Sequence, residues 1–179
     1  MVKLFLPTFA ALALTVSVAA VPTASNAAAA APFTFSQWIE DIIANPDGQH
    51  LSPEEAVAAK NAAVGAESPA NPLLKRKPNC DGFGHANAKN AASCLDYLAK
   101  KGAKGTKCEV KQPTQSFCKI GNAEIIGSVS NHYPQSVNCN DVARTGGKIF
   151  DSCWRADDTV GGAEWCINNN VIYVILSKV

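Results

Sequence analysis

No cysteine precedes Cys80 in this chain of 179 residues, although seven are present. None of the seven forms a Cys-x-x-Cys pair or lies near a histidine at ligand spacing, which argues against a zinc site. The sequence also lacks an Asn-x-Ser/Thr acceptor, a Gly-x-Ser-x-Gly motif, a phosphate loop and a His-Glu-x-x-His motif. We therefore expect no N-glycan, no metal and no cofactor, and no motif of a common hydrolase is present.

The first residues have the composition of a secretory signal peptide. Lys3 supplies the positive charge, residues 4–18 are almost uninterrupted apolar residues, and small residues follow. The run is too short to be a lasting membrane anchor, and no later segment offers the roughly 20 apolar residues of a span. Residues 1–20 are predicted to be a signal peptide, and the protein is expected to be secreted and extracellular.

A dibasic pair, Lys75-Arg76, lies in a proline-rich, polar stretch shortly before the first cysteine. A kexin-type processing protease of the secretory pathway cuts at such pairs. The charge balance also changes here, because residues 27–76 hold three basic and six acidic residues whereas residues 77–179 hold twelve and nine. We predict an acidic pro-segment, 21–76, that could lie on a mildly basic mature domain, 77–179. An ordinary Lys-Arg pair on a solvated linker is the alternative.

Two short helices are predicted within the pro-segment. The first has Ser36 as a plausible N-cap, and the second begins at 52–55 with Ser, Pro and two Glu residues and ends at Gly65. An Asn-Pro-Asp-Gly turn, 45–48, separates them. Short amphipathic helices are not stable alone, so we expect docking on the mature domain or on a sorting receptor, with partial disorder as the alternative. The apolar stripe of the first helix consists of Phe35, Trp38, Ile39, Ile42 and Ile43.

The mature domain alternates strand and helix patterns, which favours two helices on one face of a small antiparallel sheet. Gly102 is expected at the C′ position of the first helix, Gly121-Asn122 at a kink, and Gly146 where the second helix approaches the sheet closely. Strands are predicted at 79–83, 106–111, 116–120, 163–167 and 171–178, with a turn joining 106–111 to 116–120. Helices are predicted over 88–101 and from Asn138 or Asn140 to Cys153.

The cysteine count indicates three disulfides and one unpaired thiol. Cys139 and Cys153 lie at opposite ends of one predicted helix and cannot bond each other, but many other pairings remain open. The odd thiol is either buried or links two molecules, and we favour a buried thiol in a monomer. The candidates are Cys80, Cys94, Cys108, Cys118, Cys139, Cys153 and Cys166.

Two groups of residues could form a binding surface. A set of lysines surrounds the turn after the first domain helix and could contact anionic lipid, cell-wall polymer or nucleic acid; a solvated face is the simpler reading. Trp154 and Trp165 flank a Gly-Gly loop. These two side chains could pack in the core or form the lip of a binding site. The lysines are Lys100, Lys101, Lys104, Lys107 and Lys111.

A catalytic reading depends on His85 and His132, which with Glu124 or Arg144 could form a ribonuclease-like acid–base pair. No spacing supports such a pair, and both histidines lie in loop-like sequence. We favour solvated histidines.

Taken together, the signal peptide, the cysteine-free pro-segment, the Leu-Leu-Lys-Arg junction and the cysteine-rich α/β domain resemble fungal secreted effectors and killer-toxin-like proteins. The local stretches that carry the resemblance are residues 92–95, 117–122 and the helix from Cys139 to Cys153. The resemblance implies an α+β fold with two helices on a four-stranded antiparallel sheet, a split β-α-β arrangement stapled by disulfides, and a role in virulence.

The expected function is that of a secreted, proteolytically matured, non-enzymatic effector or toxin-like protein that acts on another cell, its membrane surface or its wall. A nucleic-acid partner is not expected. A small secreted ribonuclease-type hydrolase and an inhibitor of an extracellular protease are the alternatives.

Overall fold

The computed structural model describes residues 32–63 and 77–179. The predicted signal peptide, the Lys75-Arg76 pair and the predicted helix end at Gly65 lie outside these residues. None of the helices in the described part of the chain is both long and apolar enough to cross a membrane.

The described residues form an α+β structure. The helices are α1 (Phe35–Ala44), α2 (Pro53–Ala63), α3 (Ala88–Ala103) and α4 (Cys139–Cys153). The strands are β1 (Ala86–Asn87), β2 (Lys107–Val110), β3 (Thr114–Ile120), β4 (Ala123–Ser128), β5 (Gln135–Asn138), β6 (Thr159–Val160), β7 (Gly162–Trp165) and β8 (Tyr173–Lys178).

Four strands form an antiparallel sheet in the order β3-β4-β8-β7. Its buried face alternates along the strands, as Ala123 and Ile125 of β4 and Val174 and Leu176 of β8 show. Helix α3 contacts β3 and β4, helix α4 contacts β7 and β8, and the two helices contact each other. The prediction of an α+β domain with a four-stranded antiparallel sheet is therefore confirmed, and β8 is a central strand as its apolar sequence indicated.

Three details of the strand prediction are wrong. The predicted strand 79–83 is a loop in which only Asn79 pairs, with Ala163. Strand β2 pairs with β5 rather than with β3. Gly121-Asn122 is not a kink but the two-residue turn between the paired strands β3 and β4, and Gly121 has the positive φ of 55° that such turns favour.

The glycines of the helices allow close contacts other than those predicted. Helix α3 runs through Gly102, where a Cβ atom would lie 2.2 Å from the backbone nitrogen of Asn140, and the left-handed conformation falls instead on Gly105, with φ 82°. Gly146 approaches α3 rather than the sheet, since its Cβ would lie 2.3 Å from Leu95. Asn138, one of the two predicted caps, accepts from the Asn140 N–H and begins α4.

Three disulfides connect helices to other elements, as predicted. Cys94–Cys118 joins α3 to β3, Cys108–Cys139 joins β2 to α4, and Cys80–Cys153 joins the loop before β1 to the end of α4. The seventh cysteine, Cys166, is unpaired and buried, and this burial raises the pKa of its thiol to about 12. A thiol in this state is unreactive at neutral pH.

Candidate functional site: the groove under the N-terminal helices

Helix α1 begins against the carboxylate of Asp151 on α4. The backbone N–H groups of Phe35 and Ser36 donate to the two Asp151 oxygens at 2.8 and 2.9 Å. Thr34, not the predicted Ser36, is the N-cap, and its hydroxyl accepts from the Gln37 N–H at 3.2 Å. A residue distant in sequence thus satisfies two of the N–H groups that the first turn of a helix leaves without an internal partner.

Phe35 is the residue of α1 that packs against the aromatic side chains at the end of α4. It is fully buried, with its ring centroid 4.0 Å from that of Phe150 and 6.0 Å from that of Trp154. Trp154 is half-buried beneath α1, so it packs in the core, which was one of its two readings. Of the remaining predicted stripe, Ile43 is half-buried and three residues are buried, namely Trp38, Ile39 and Ile42. The predicted docking of this helix on the cysteine-rich domain is confirmed.

The backbone of α1 comes close to α4 at Gly147. A Cβ atom built there would lie 3.2 Å from Cα of Ser36 and 3.4 Å from the carbonyl oxygen of Phe35. Both neighbours are backbone atoms, which cannot swing away as the end of a side chain can. The absence of a side chain at Gly147 therefore sets the distance between the two helices.

Arg144 binds Glu40 of α1 through two hydrogen bonds, from Nε at 2.7 Å and from an Nη at 2.9 Å. Its other nitrogen donates to Asp141 at 3.4 Å. The hydrogen bond from Arg144 lowers the pKa of Glu40, and the same bond raises the pKa of Arg144. A bidentate pair of this kind fixes the relative orientation of the two side chains in addition to bringing opposite charges together.

We define the α1 groove as the face of α4 formed by Arg144, Gly147, Phe150, Asp151 and Trp154, together with the adjoining side of α3. Arg144, Gly147 and Asp151 follow one another at three and four residues, as do Gly147, Phe150 and Trp154, so all five share one side of the helix. Another side of α4 carries the line Val142, Gly146, Ile149 and Cys153, all of which are buried.

Helix α2 attaches mainly through polar contacts. Its start is the predicted capping box: Ser52 Oγ accepts from the Glu55 N–H at 3.2 Å, and the Glu55 carboxylate accepts from the Ser52 N–H at 2.7 Å. Glu54 pairs with Lys89 at 3.1 Å, and Asn61 donates to Asp158 at 2.9 Å. Only Ala56 of this helix is buried.

The predicted lysine surface is partly assembled. Three of the five lysines, Lys101, Lys107 and Lys111, line an open cleft of about 280 Å³ that also includes Glu109 and Phe117. The other two are paired elsewhere. Lys100 Nζ lies 2.9 Å from the Asp96 carboxylate, and Lys104 Nζ lies 3.6 Å from Asp47 of the N-terminal segment.

The second predicted tryptophan, Trp165, lies on the other face of the sheet. It is 39% exposed and packs against its strand partner Tyr173, with ring centroids 5.0 Å apart. The next residue of β8, Val174, is buried on the helix side. The structure therefore does not bring Trp154 and Trp165 together.

The two histidines lie at opposite ends of β4. His85 precedes Asn87, whose N–H donates to Asn122 just before β4, whereas His132 follows the far end of this six-residue strand. Six residues of strand span roughly 20 Å. Arg144 is bound to Glu40 and Asp141, so the ribonuclease-like set that was the alternative reading does not converge.

A family model described as Domain of unknown function (DUF8794) matches residues 75–178. The chain belongs to this family. The match covers the cysteine-rich domain and leaves out α1 and α2. A search of the curated proteins and a search of the solved structures each found no match.

Sequence reasoning predicted that α1 docks but missed the residues of α4 that hold it. Arg144, Gly147 and Asp151 recur at three and four residues along α4, and such spacing marks a second contact face. Charged residues and glycine on that face look like solvated surface in the sequence. Only the position of α1 shows that they contact another helix.

Proposed function

We propose that this chain is the precursor of a secreted, non-enzymatic effector or toxin-like protein that acts on another cell, its membrane surface or its wall. In this proposal a kexin-type protease cuts after Arg76. The segment that contains α1 and α2 is then no longer covalently joined to the DUF8794 domain.

The distribution of cross-links carries the proposal. All three disulfides lie within residues 80–153, and no cysteine is present in the segment that precedes them. A cut at Lys75-Arg76 would therefore leave two pieces held only by packing, hydrogen bonds and ion pairs. Disulfides of this density also favour an oxidising compartment outside the cytosol.

The cleft of Lys101, Lys107 and Lys111 supports contact with an anionic surface. Lys107 and Lys111 are exposed, Lys111 pairs with Glu109 at 3.1 Å, and Phe117 adds an apolar side chain to the lining. Anionic lipid and acidic cell-wall polymer both present the negative charge that such a cleft attracts.

The test compares the secreted full-length protein with its Lys75→Ala/Arg76→Ala variant, each applied to plant tissue and to competing microbes. We expect cell death from the first and little from the second. Lys119→Ala/Lys178→Ala removes the same charge from the sheet and serves as the control. If the precursor and the processed protein were equally active, the proposed maturation would be contradicted. If the protein cleaved RNA and His132→Ala abolished this cleavage, the proposed non-enzymatic role would be contradicted.

A further inference from the structure

We propose that the α1 groove is the surface through which the released domain binds its target, and that the target presents an amphipathic helix to it. This inference rests on the proposed release of the N-terminal segment. The groove would accept a helix with an aromatic residue in its first turn, bulky apolar residues three, four and seven positions after it, and a carboxylate five positions after it.

The polar contacts of the groove fit the amino-terminal end of a helix. Asp151 accepts two backbone N–H groups, at 2.8 and 2.9 Å, and the first turn of a helix offers such a pair side by side. A carboxylate at this end is also favoured by the helix dipole. A strand, whose successive N–H groups point in opposite directions, would leave the Asp151 carboxylate without this pair of donors.

The apolar contacts give the groove its affinity. Phe150 is fully buried and Trp154 half-buried while Phe35 covers them. Departure of α1 would expose these rings together with the facing side of α3. A contiguous apolar surface of this kind is typical of grooves that bind one face of an amphipathic helix.

Charge and shape complete the description of the ligand. Arg144 offers two parallel donors to a carboxylate one turn along the helix, as it does to Glu40 at 2.7 and 2.9 Å. Gly147 allows the backbone of the ligand to approach α4 closely. A helix with a basic residue in place of Glu40 would place like charges together and be rejected.

The covalent link to α1 explains why the groove would be closed before processing. Tethering gives α1 an effective concentration in the millimolar range or above, which a free competitor cannot match. After the cut, α1 and any other helix compete on affinity alone. Processing would thus open the groove without any change in the disulfide-linked domain.

The test uses the full chain, folded with its disulfides and then cut at Lys75-Arg76 with a kexin-type protease. One fluorescent probe is a synthetic peptide of residues 32–63. The second is a designed helix that keeps only Phe35, Trp38, Ile39, Glu40 and Ile42 in their spacing, with Ala, Gln and Lys elsewhere. Fluorescence anisotropy measures the binding of each probe to the cut protein in competition with the released segment.

We expect both probes to bind, with dissociation constants within about ten-fold of each other, because they share the contacts that the groove makes. Replacing Phe35 by Ala in the designed helix should weaken binding by more than about 100-fold. Replacing Glu40 by Gln should weaken it by about three- to ten-fold. The peptide of residues 32–63 carrying Asp41→Asn, a change on the exposed side of α1, should bind as before.

Variants of the protein provide the second arm. Arg144→Ala should weaken the binding of both probes, and in this variant Glu40→Gln in the probe should have no further effect. Arg155→Ala, which lies outside the groove, should leave the binding of both probes unchanged. Binding of the 32–63 peptide alone, or of neither probe, would overturn the proposal. A junction that the protease does not cut would contradict the proposed maturation instead, and the same binding is then measured on a chain cut at an engineered site within residues 64–76.

Discussion

The N-terminal segment 32–63 and the DUF8794 domain are built on different principles. The domain has a four-stranded sheet and three disulfides, whereas the segment has two helices, no cysteine and no strand in its described residues. The segment is held by one apolar stripe, two N–H groups on Asp151 and ion pairs. Because the disulfides lie within the domain, we expect the segment to detach while the domain keeps its fold.

Charge separates the two regions as well. Three of the ion pairs between them place the acid on the segment and the base on the domain: Glu40–Arg144, Asp47–Lys104 and Glu54–Lys89. The pair between Lys60 and Asp151 has the reverse sense. The acidic segment thus lies on the mildly basic domain, as the charge balance indicated.

Reduction of the disulfides should have the largest effect, and it should act on the domain. Each bridge contributes about 2–4 kcal/mol, and three together are comparable to the typical total of about 5–15 kcal/mol. We expect the reduced protein to be unfolded already at 25–37 °C and to show no thermal transition. Circular dichroism with and without reductant measures this. If the reduced protein melted within a few degrees of the oxidised protein, the disulfides would not be what distinguishes the domain from the segment.

Phe35→Ala should release the segment and leave the domain folded. Loss of a buried phenylalanine costs about 3–5 kcal/mol, which should remove the hydrogen-exchange protection of α1 while β4 and β8 stay protected. Leu51→Ala is the control, because Leu51 is 42% exposed and its loss should change stability by about 0.5 kcal/mol or less. Equal loss of protection in α1 and β8 would mean that segment and domain unfold as one unit.

The adjacent glycines of α4 test each region separately. Gly146→Ala places a methyl 2.3 Å from Leu95 within the domain and should cost about 1–3 kcal/mol in the free energy of unfolding. Gly147→Ala meets the backbone of α1 at 3.2 Å and should loosen only the segment. Once the segment has been released, Gly147→Ala should instead stabilise the domain by up to about 1 kcal/mol through helix propensity.

The measurement is chemical denaturation of the intact and the cut protein for both variants. If Gly147→Ala changed the free energy of unfolding in the same direction in the intact and the cut protein, this glycine would not be assigned to the contact with α1.

Acid should have the smallest effect and should act on the segment. The Arg144 hydrogen bond lowers the pKa of Glu40, and hydrogen bonds to the Ser52 N–H and hydroxyl lower that of Glu55. A lowered folded-state pKa stabilises the fold above the unfolded value, about 4.3, and this contribution is lost as the pH falls through the folded pKa.

The Glu40 side chain is 48% exposed, so solvent reduces the contribution of its ion pair to about 1 kcal/mol or less. Hydrogen-exchange protection of α1, taken relative to the intrinsic exchange rate at each pH, should fall below about pH 4.3, and Glu40→Gln should make this protection less dependent on pH. An unchanged pH dependence in Glu40→Gln would exclude this ion pair as the cause.

Much of the fold is predictable from local patterns. The capping box at Ser52, the stripe of α1, the Asn138 cap and the central β8 all follow from residues close together in sequence. The pairing of β2 with β5 does not, because alternation identifies a strand but not its partner. The contact of Gly147 and Asp151 with α1 also depends on chain segments more than 100 residues apart, which one sequence does not relate.

The protein recovered from the growth medium tests the account most directly, through its intact mass, N-terminal sequence and disulfide map. We predict a chain that starts at Lys77, with bridges 80–153, 94–118 and 108–139 and one thiol at Cys166 that reacts only after unfolding. An N-terminus upstream of Arg76, or a protein with every cysteine reduced, would contradict it.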